Sequence, residues 1–185
     1  PCFDLSALNP AASEIVATIW WNSEAKWDGA QLQYSTDGGT TWTNIGVNGD
    51  PNNWYNSATM SASAVSTFFG GNTNWWSGRA GGVTLGSGGW VTAKHDLPAG
   101  AIISGVRFRF AFASDGSGVD DGIAFDNVII HEKLLTDVGA ATLATPAATG
   151  CYGNAETITV QVKNFGSGTI DFSTTPVTVT TNVTG

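Results

Sequence analysis

Val106-Arg-Phe-Arg-Phe-Ala-Phe-Ala-Ser-Asp-Gly-Ser-Gly-Val-Asp-Asp-Gly-Ile-Ala-Phe-Asp-Asn-Val-Ile-Ile130 is the stretch whose reading decides the fold. It holds two period-2 segments joined by a loop dense in Asp and Gly. Val106, Phe108, Phe110 and Phe112 share one face of the first segment, and Arg107 and Arg109 share the other. Successive side chains of a strand point to opposite faces, so the segment reads as a half-buried antiparallel strand. The second segment carries Asp126 within an apolar run. A buried carboxylate needs a partner, and a cation is one.

Working outward, the same alternation recurs. Glu14–Trp21 is apolar on both faces, as a central sandwich strand is. Gly29–Thr36, the turn Asp37-Gly38-Gly39 and Thr41–Ile45 read as a hairpin, because Asp-Gly between alternating strands favours a tight reversal. Cys2–Leu8 and Gly89–His95 read as further strands, and Leu97–Gly100 as a turn. Between Gly46 and Gly89 lies a long segment with scattered aromatics. Such a loop either packs over a core or binds a ligand.

After Ile130 the texture changes. His131–Thr136 reads as a linker, and Asp137–Leu143, Thr157–Asn164 and Val177–Val183 as a new strand series. Three or four strands cannot close a second sandwich. The chain is therefore expected to be all-β throughout, with one full sandwich domain over residues 1–132 and the front part of another over 133–185. Pro1 and the strand pattern at Gly185 suggest a processed product or an excerpt.

Composition narrows the function. The 185 residues include 24 Gly but only 7 Lys and Arg against 15 Asp and Glu, for a formal net charge of −8. That excess argues against nucleic acid, whose phosphates demand clustered cations. No apolar run reaches the roughly 20 residues of a membrane helix, so no membrane insertion is expected. Cys2 and Cys151 could bridge the two units, pair elsewhere or stay free.

Three constellations could carry chemistry. Glu24 and Asp28, in the loop Asn22–Asp28, could join Asp115 and Asp126 as hard oxygen ligands, and calcium, which takes six to eight oxygens in irregular geometry, suits loops of this kind. Trp54, Tyr55, Trp75 and Trp76 either pack in a core or form a platform for sugar rings. His95 and His131 are the only histidines. They have neither a nucleophile elbow nor zinc-spaced partners, so no enzyme is expected.

Ser35-Thr-Asp-Gly-Gly-Thr-Thr-Trp42 matches the Asp-box hairpin of sialidase propellers, a structural motif. Five stretches together carry a wider resemblance: Trp20–Ala30, Ser35–Trp42, Gly49–Tyr55, Gly88–Leu97 and Val106–Ile130. With these, residues 2 to about 131 resemble a MAM-like jelly-roll module. Such modules accompany immune-inhibitor-A-type metallopeptidases and occur in bacterial surface proteins exported by type IX secretion. Cys151–Gly166 resembles the start of an Ig-like domain. The resemblance implies a noncatalytic, calcium-stabilised β-sandwich of a secreted bacterial cell-surface protein, used in adhesion or filament building. Its expected partners are an extracellular glycan, a protein surface or neighbouring copies of itself. A carbohydrate-binding module attached to a secreted hydrolase is the alternative.

Overall fold

Alternating apolar positions bury one face of each strand, and two such faces laid together make a core. A computed structural model describes residues 1–61, 67–147, 149–166 and 168–181. They fall into two compact units, Pro1–Glu132 and Lys133–Gly185.

The first unit is an antiparallel sandwich. One sheet has the order β1 (Phe3–Asp4), β6 (Ser104–Ala113), β3 (Gly29–Ser35), β4 (Thr43–Asn44). The other has the order β5 (Val91–Asp96), β2 (Ser13–Asn22), β7 (Gly122–Glu132). From β2 onward the chain crosses from sheet to sheet at every step except the β3–β4 hairpin. The expected strands are thus present, but those at Cys2–Leu8 and Thr41–Ile45 shrink to two residues each, and Leu97–Gly100 leads into a short 3₁₀ turn, Ala99–Ala101.

β2 is central, as its two covered faces require. Its odd residues Ile15, Ala17, Ile19 and Trp21 are buried and its even residues are half-buried. Val106 of β6 is fully buried, and Phe108 and Phe110 pack on the same core. Phe110 meets Phe125 of β7 across the sandwich, ring centroids 4.0 Å apart and nearly parallel.

The long aromatic loop closes the core. Trp54, Tyr55 and Trp76 pack inside it. Trp76 extends the wide sheet through paired backbone bonds to Ala30, each 2.9 Å. Trp75 lies over the outer face of that sheet with Phe69 and Ala111. Gln31 and Gln33 point to this covered face, and Gln31 donates to the Asn74 carbonyl at 2.8 Å. Gly29 is needed here, because an added Cβ would strike the Trp75 ring and the Trp76 carbonyl.

In the second unit β8 (Val138–Thr145) pairs antiparallel with β9 (Thr159–Asn164). Phe172, Val177 and Val179 line a cavity of about 350 Å³ with Val162. The third expected strand differs: Val177–Thr181 is not in a strand, and positions 182–183 lie outside the described residues. Among the described residues no helix is long and apolar enough to cross a membrane, which says nothing of a β-barrel.

Candidate functional site

Two loops meet at one end of the sandwich, Ser23–Asp28 between β2 and β3 and Ser114–Asp121 between β6 and β7. The first is a tight turn: the amides of Trp27 and Asp28 donate to the Glu24 carbonyl at 3.1 and 2.9 Å, and Lys26 takes a left-handed φ of 72°. Ser77 fixes the turn by donating its hydroxyl to the Asp28 carbonyl at 2.7 Å. Asp28 is thereby held in a buried position.

The Asp115 amide donates to Asp28 Oδ1 at 3.1 Å, tying the second loop to the first. Gly118 in that loop lies against Glu24, whose carboxylate an added Cβ would overlap. Asp28, Asp115, Gly118, Asp120 and Asp121 line a cavity of about 260 Å³. At its rim Arg79 pairs with Asp120 at 3.0 Å, and Asn22 donates to Asp121 at 2.8 Å.

The electrostatics are uncompensated. Burial pushes the Asp28 carboxyl above its usual range, and the charges of Asp115 and Glu24 add to the push; the Asp115 amide opposes it. Among the described residues, no Lys, Arg or His forms an ion pair with Glu24, Asp28 or Asp115. The donors are all hard oxygens, the kind calcium takes. As placed, however, no three His, Cys, Asp or Glu side chains among the described residues form a group able to hold an ion. Binding would need the two loops to draw together.

The expected metal set therefore divides. Glu24, Asp28 and Asp115 share one neighbourhood. Asp126 does not join them: it faces Thr18 on the outer surface of β7, exposed, and accepts the Asn127 amide at 2.7 Å. Solvent satisfies it there. The reason is a bulge opposite Ala17, where the register shifts and Asn127 has φ 49°. Both faces of β7 carry apolar residues around that bulge, so the run does not mark a buried strand.

The expected sugar platform also fails to form. Trp54, Tyr55, Trp75 and Trp76 are each no more than 2% exposed. Tyr55 donates to Asn44 Oδ1 at 2.7 Å and receives the Leu32 amide at 3.0 Å, and burial drives its phenol pKa upward. The Trp54 and Trp76 indoles donate to backbone carbonyls at 2.8 and 2.9 Å. With rings and polar tips both engaged, these side chains are core.

His95 is likewise engaged, 3.0 Å from Asp50 and with its ring tilted against Trp54 at 4.9 Å. Asp37 holds the Ser35–Trp42 turn by accepting the Thr41 amide and hydroxyl and the Ser35 hydroxyl, and these bonds, the Thr41 hydroxyl first, keep its carboxyl well below the usual range. Cys2 and Cys151 are exposed thiols. Sequence reasoning missed Arg79 and Asn22, which brace the acidic loop; one lies in the long loop and the other ends a strand, so spacing gave no signal.

One prediction follows from Asp28. In its unfolded state the carboxyl titrates near pH ~3.9, and in the folded state higher, so the folded protein loses stability as pH rises through that interval. Asp28→Asn keeps the oxygen that accepts the Asp115 amide and removes the charge. In calcium-free buffer the variant is expected to melt above the wild type at neutral pH and to converge with it as the pH falls below the unfolded-state value. Melting scans against pH test this; a lower melting temperature for the variant at pH 7 would contradict it.

No family model matches the chain, and no curated protein or solved structure matches it either.

Proposed function

We propose that the chain is a noncatalytic module of a secreted bacterial cell-surface protein, an adhesin or extracellular filament segment stabilised by calcium. The observation that carries the reading is the buried Asp28 carboxylate, set between Glu24 and Asp115 with no counter-cation among the described residues. A divalent ion there would relieve the repulsion and lock two loops at one end of a rigid sandwich. The resemblance of residues 2 to about 131 to MAM-like modules, and of Cys151–Gly166 to the start of an Ig-like domain, supports the same reading. Glu24, Asp28 and Asp115 would supply ligands together with loop carbonyls, and Asp126 would not.

The experiment is attachment. Beads coated with the purified chain are expected to adhere to surfaces bearing extracellular glycans or proteins, or to one another, in millimolar calcium. Chelation should release them. Failure to attach to all three in calcium, or turnover of a glycan or peptide by the purified chain, would overturn the reading.

A further inference from the structure

β6 alternates, and its outward residues fall on the outer face of the wide sheet. Arg107 and Arg109 stand there opposite Ser35 and Gln33 of β3. Acids outnumber Lys and Arg 15 to 7 in this chain, and every Asp and Glu lies among the described residues. Arg79 pairs with one of them at 3.0 Å. Among the described residues neither Arg107 nor Arg109 forms an ion pair. Asp37, the acid of the neighbouring hairpin, spends its oxygens on Thr41 and Ser35.

Arg109 is nonetheless held in one place. Its guanidinium carbon lies over the Trp42 ring, 4.2 Å from the centroid, and 5.9 Å from that of Phe68. Trp42 is itself fixed, since its indole donates to the Gly39 carbonyl at 3.0 Å. Arg109 Nε donates to Gln33 at 2.8 Å, Gln33 donates to Gln31 at 2.9 Å, and Gln31 donates to the Asn74 carbonyl at 2.8 Å. Both glutamines are buried, so this run of amides aims the Gln33 oxygen at Arg109. Burial lowers the guanidinium pKa, and no neighbouring carboxylate offsets it. One face and the Nε edge are thus engaged, while the Nη groups have no hydrogen-bond partner among the described residues.

We propose that Arg109, with Arg107 beside it, receives the carboxylate of an acidic sugar, a hexuronate unit of an extracellular polysaccharide whose ring packs beside Trp42 and Phe68. A guanidinium fork matches a carboxylate in two parallel hydrogen bonds. The aromatic rings favour a sugar as the carrier. Phe68 is 51% exposed next to the cation. In a hexuronate the carboxylate is attached directly to the ring, so ring face and charge arrive together. An aspartate or glutamate side chain would first have to freeze its rotors. The inference rests on the adhesion reading, for which it names the glycan, but it uses none of the carboxylates around Asp28. A net charge of −8 repels acidic polymers from most of the surface, so uptake of one belongs to this face.

The probe is trigalacturonate, titrated into the full chain in chelator while NMR follows the indole and guanidinium Nε signals. Saturable shifts are expected at Trp42 and Arg109 and none at the buried Trp54. The methyl ester of the same oligomer, whose carboxylates are masked, should bind at least about tenfold more weakly, the loss expected for a charge-assisted bond. Arg109→Gln should cause a similar loss and Arg107→Gln a several-fold one. Lys94→Gln, which removes an equal charge from an exposed site on β5, should cause none. Where Arg109→Gln fails to fold, the ester and Arg107→Gln decide. No saturable shift at Trp42, equal binding of acid and ester, equal losses in Arg107→Gln and Lys94→Gln, or equal binding of a triglutamate peptide overturns the proposal. Calcium-dependent attachment without trigalacturonate binding would overturn this inference alone.

Discussion

Trp76→Ala is expected to destabilise the first unit by about 3–5 kcal/mol, the range for deleting a large buried aromatic. That corresponds to a fall in melting temperature of more than about 10 °C. Trp76 is 1% exposed and meets Tyr55 edge-on at 4.6 Å and Trp54 at 5.1 Å. Its indole donates to the Asn53 carbonyl at 2.9 Å. Truncation would leave a cavity between the sheets and deprive the Asn53 carbonyl of its indole donor, while the backbone bonds to Ala30 remain. A tryptophan on an open sugar platform would behave differently, since surface substitutions change stability by about 0.5 kcal/mol or less. Urea unfolding followed by circular dichroism separates the two, and a change under 1 kcal/mol would return Trp76 to the surface.

The second large effect concerns calcium. A ligand that binds only the native state stabilises it by about 2.7 kcal/mol at a hundred times its dissociation constant. Melting in saturating calcium should therefore lie roughly 10 °C above melting in chelator for a domain of this size. Asp28→Asn is expected to erase most of that difference while melting above the wild type in chelator. The opposite signs of these changes distinguish loss of a ligand from damage to the fold. Asp126→Asn should leave the calcium shift intact, because Asp126 stands exposed on the outer face of β7 and does not line the cavity of Asp28 and Asp115.

The strands were legible because each buries one face against a core and leaves the other in a different environment, which period 2 records. Phe108 and Phe110 show it plainly. The sites were less legible, for two physical reasons. Asp126 was misplaced because a single extra residue in β7 shifts the parity of every side chain beyond it, and the apolar residues on both faces gave no sign of the shift. The four loop aromatics were misplaced as a possible platform because a loop's sequence does not say whether it folds back. Here it does: the buried Gln31 and Gln33 lie on a sheet face covered by Trp75 and by Asn72 and Asn74, whose carbonyls accept from Gln31. Glu24, Asp28 and Asp115 share one neighbourhood because the β3–β6 register pairs Gly29 with Ala113, which sets the two loop ends side by side.

Equilibrium dialysis against calcium, with the bound metal counted by elemental analysis, tests the central claim most directly. The wild-type chain is expected to retain one calcium per molecule from millimolar solution and Asp28→Asn to retain none. A wild-type chain that comes out of the dialysis metal-free, still folded and with unchanged melting, would contradict the account.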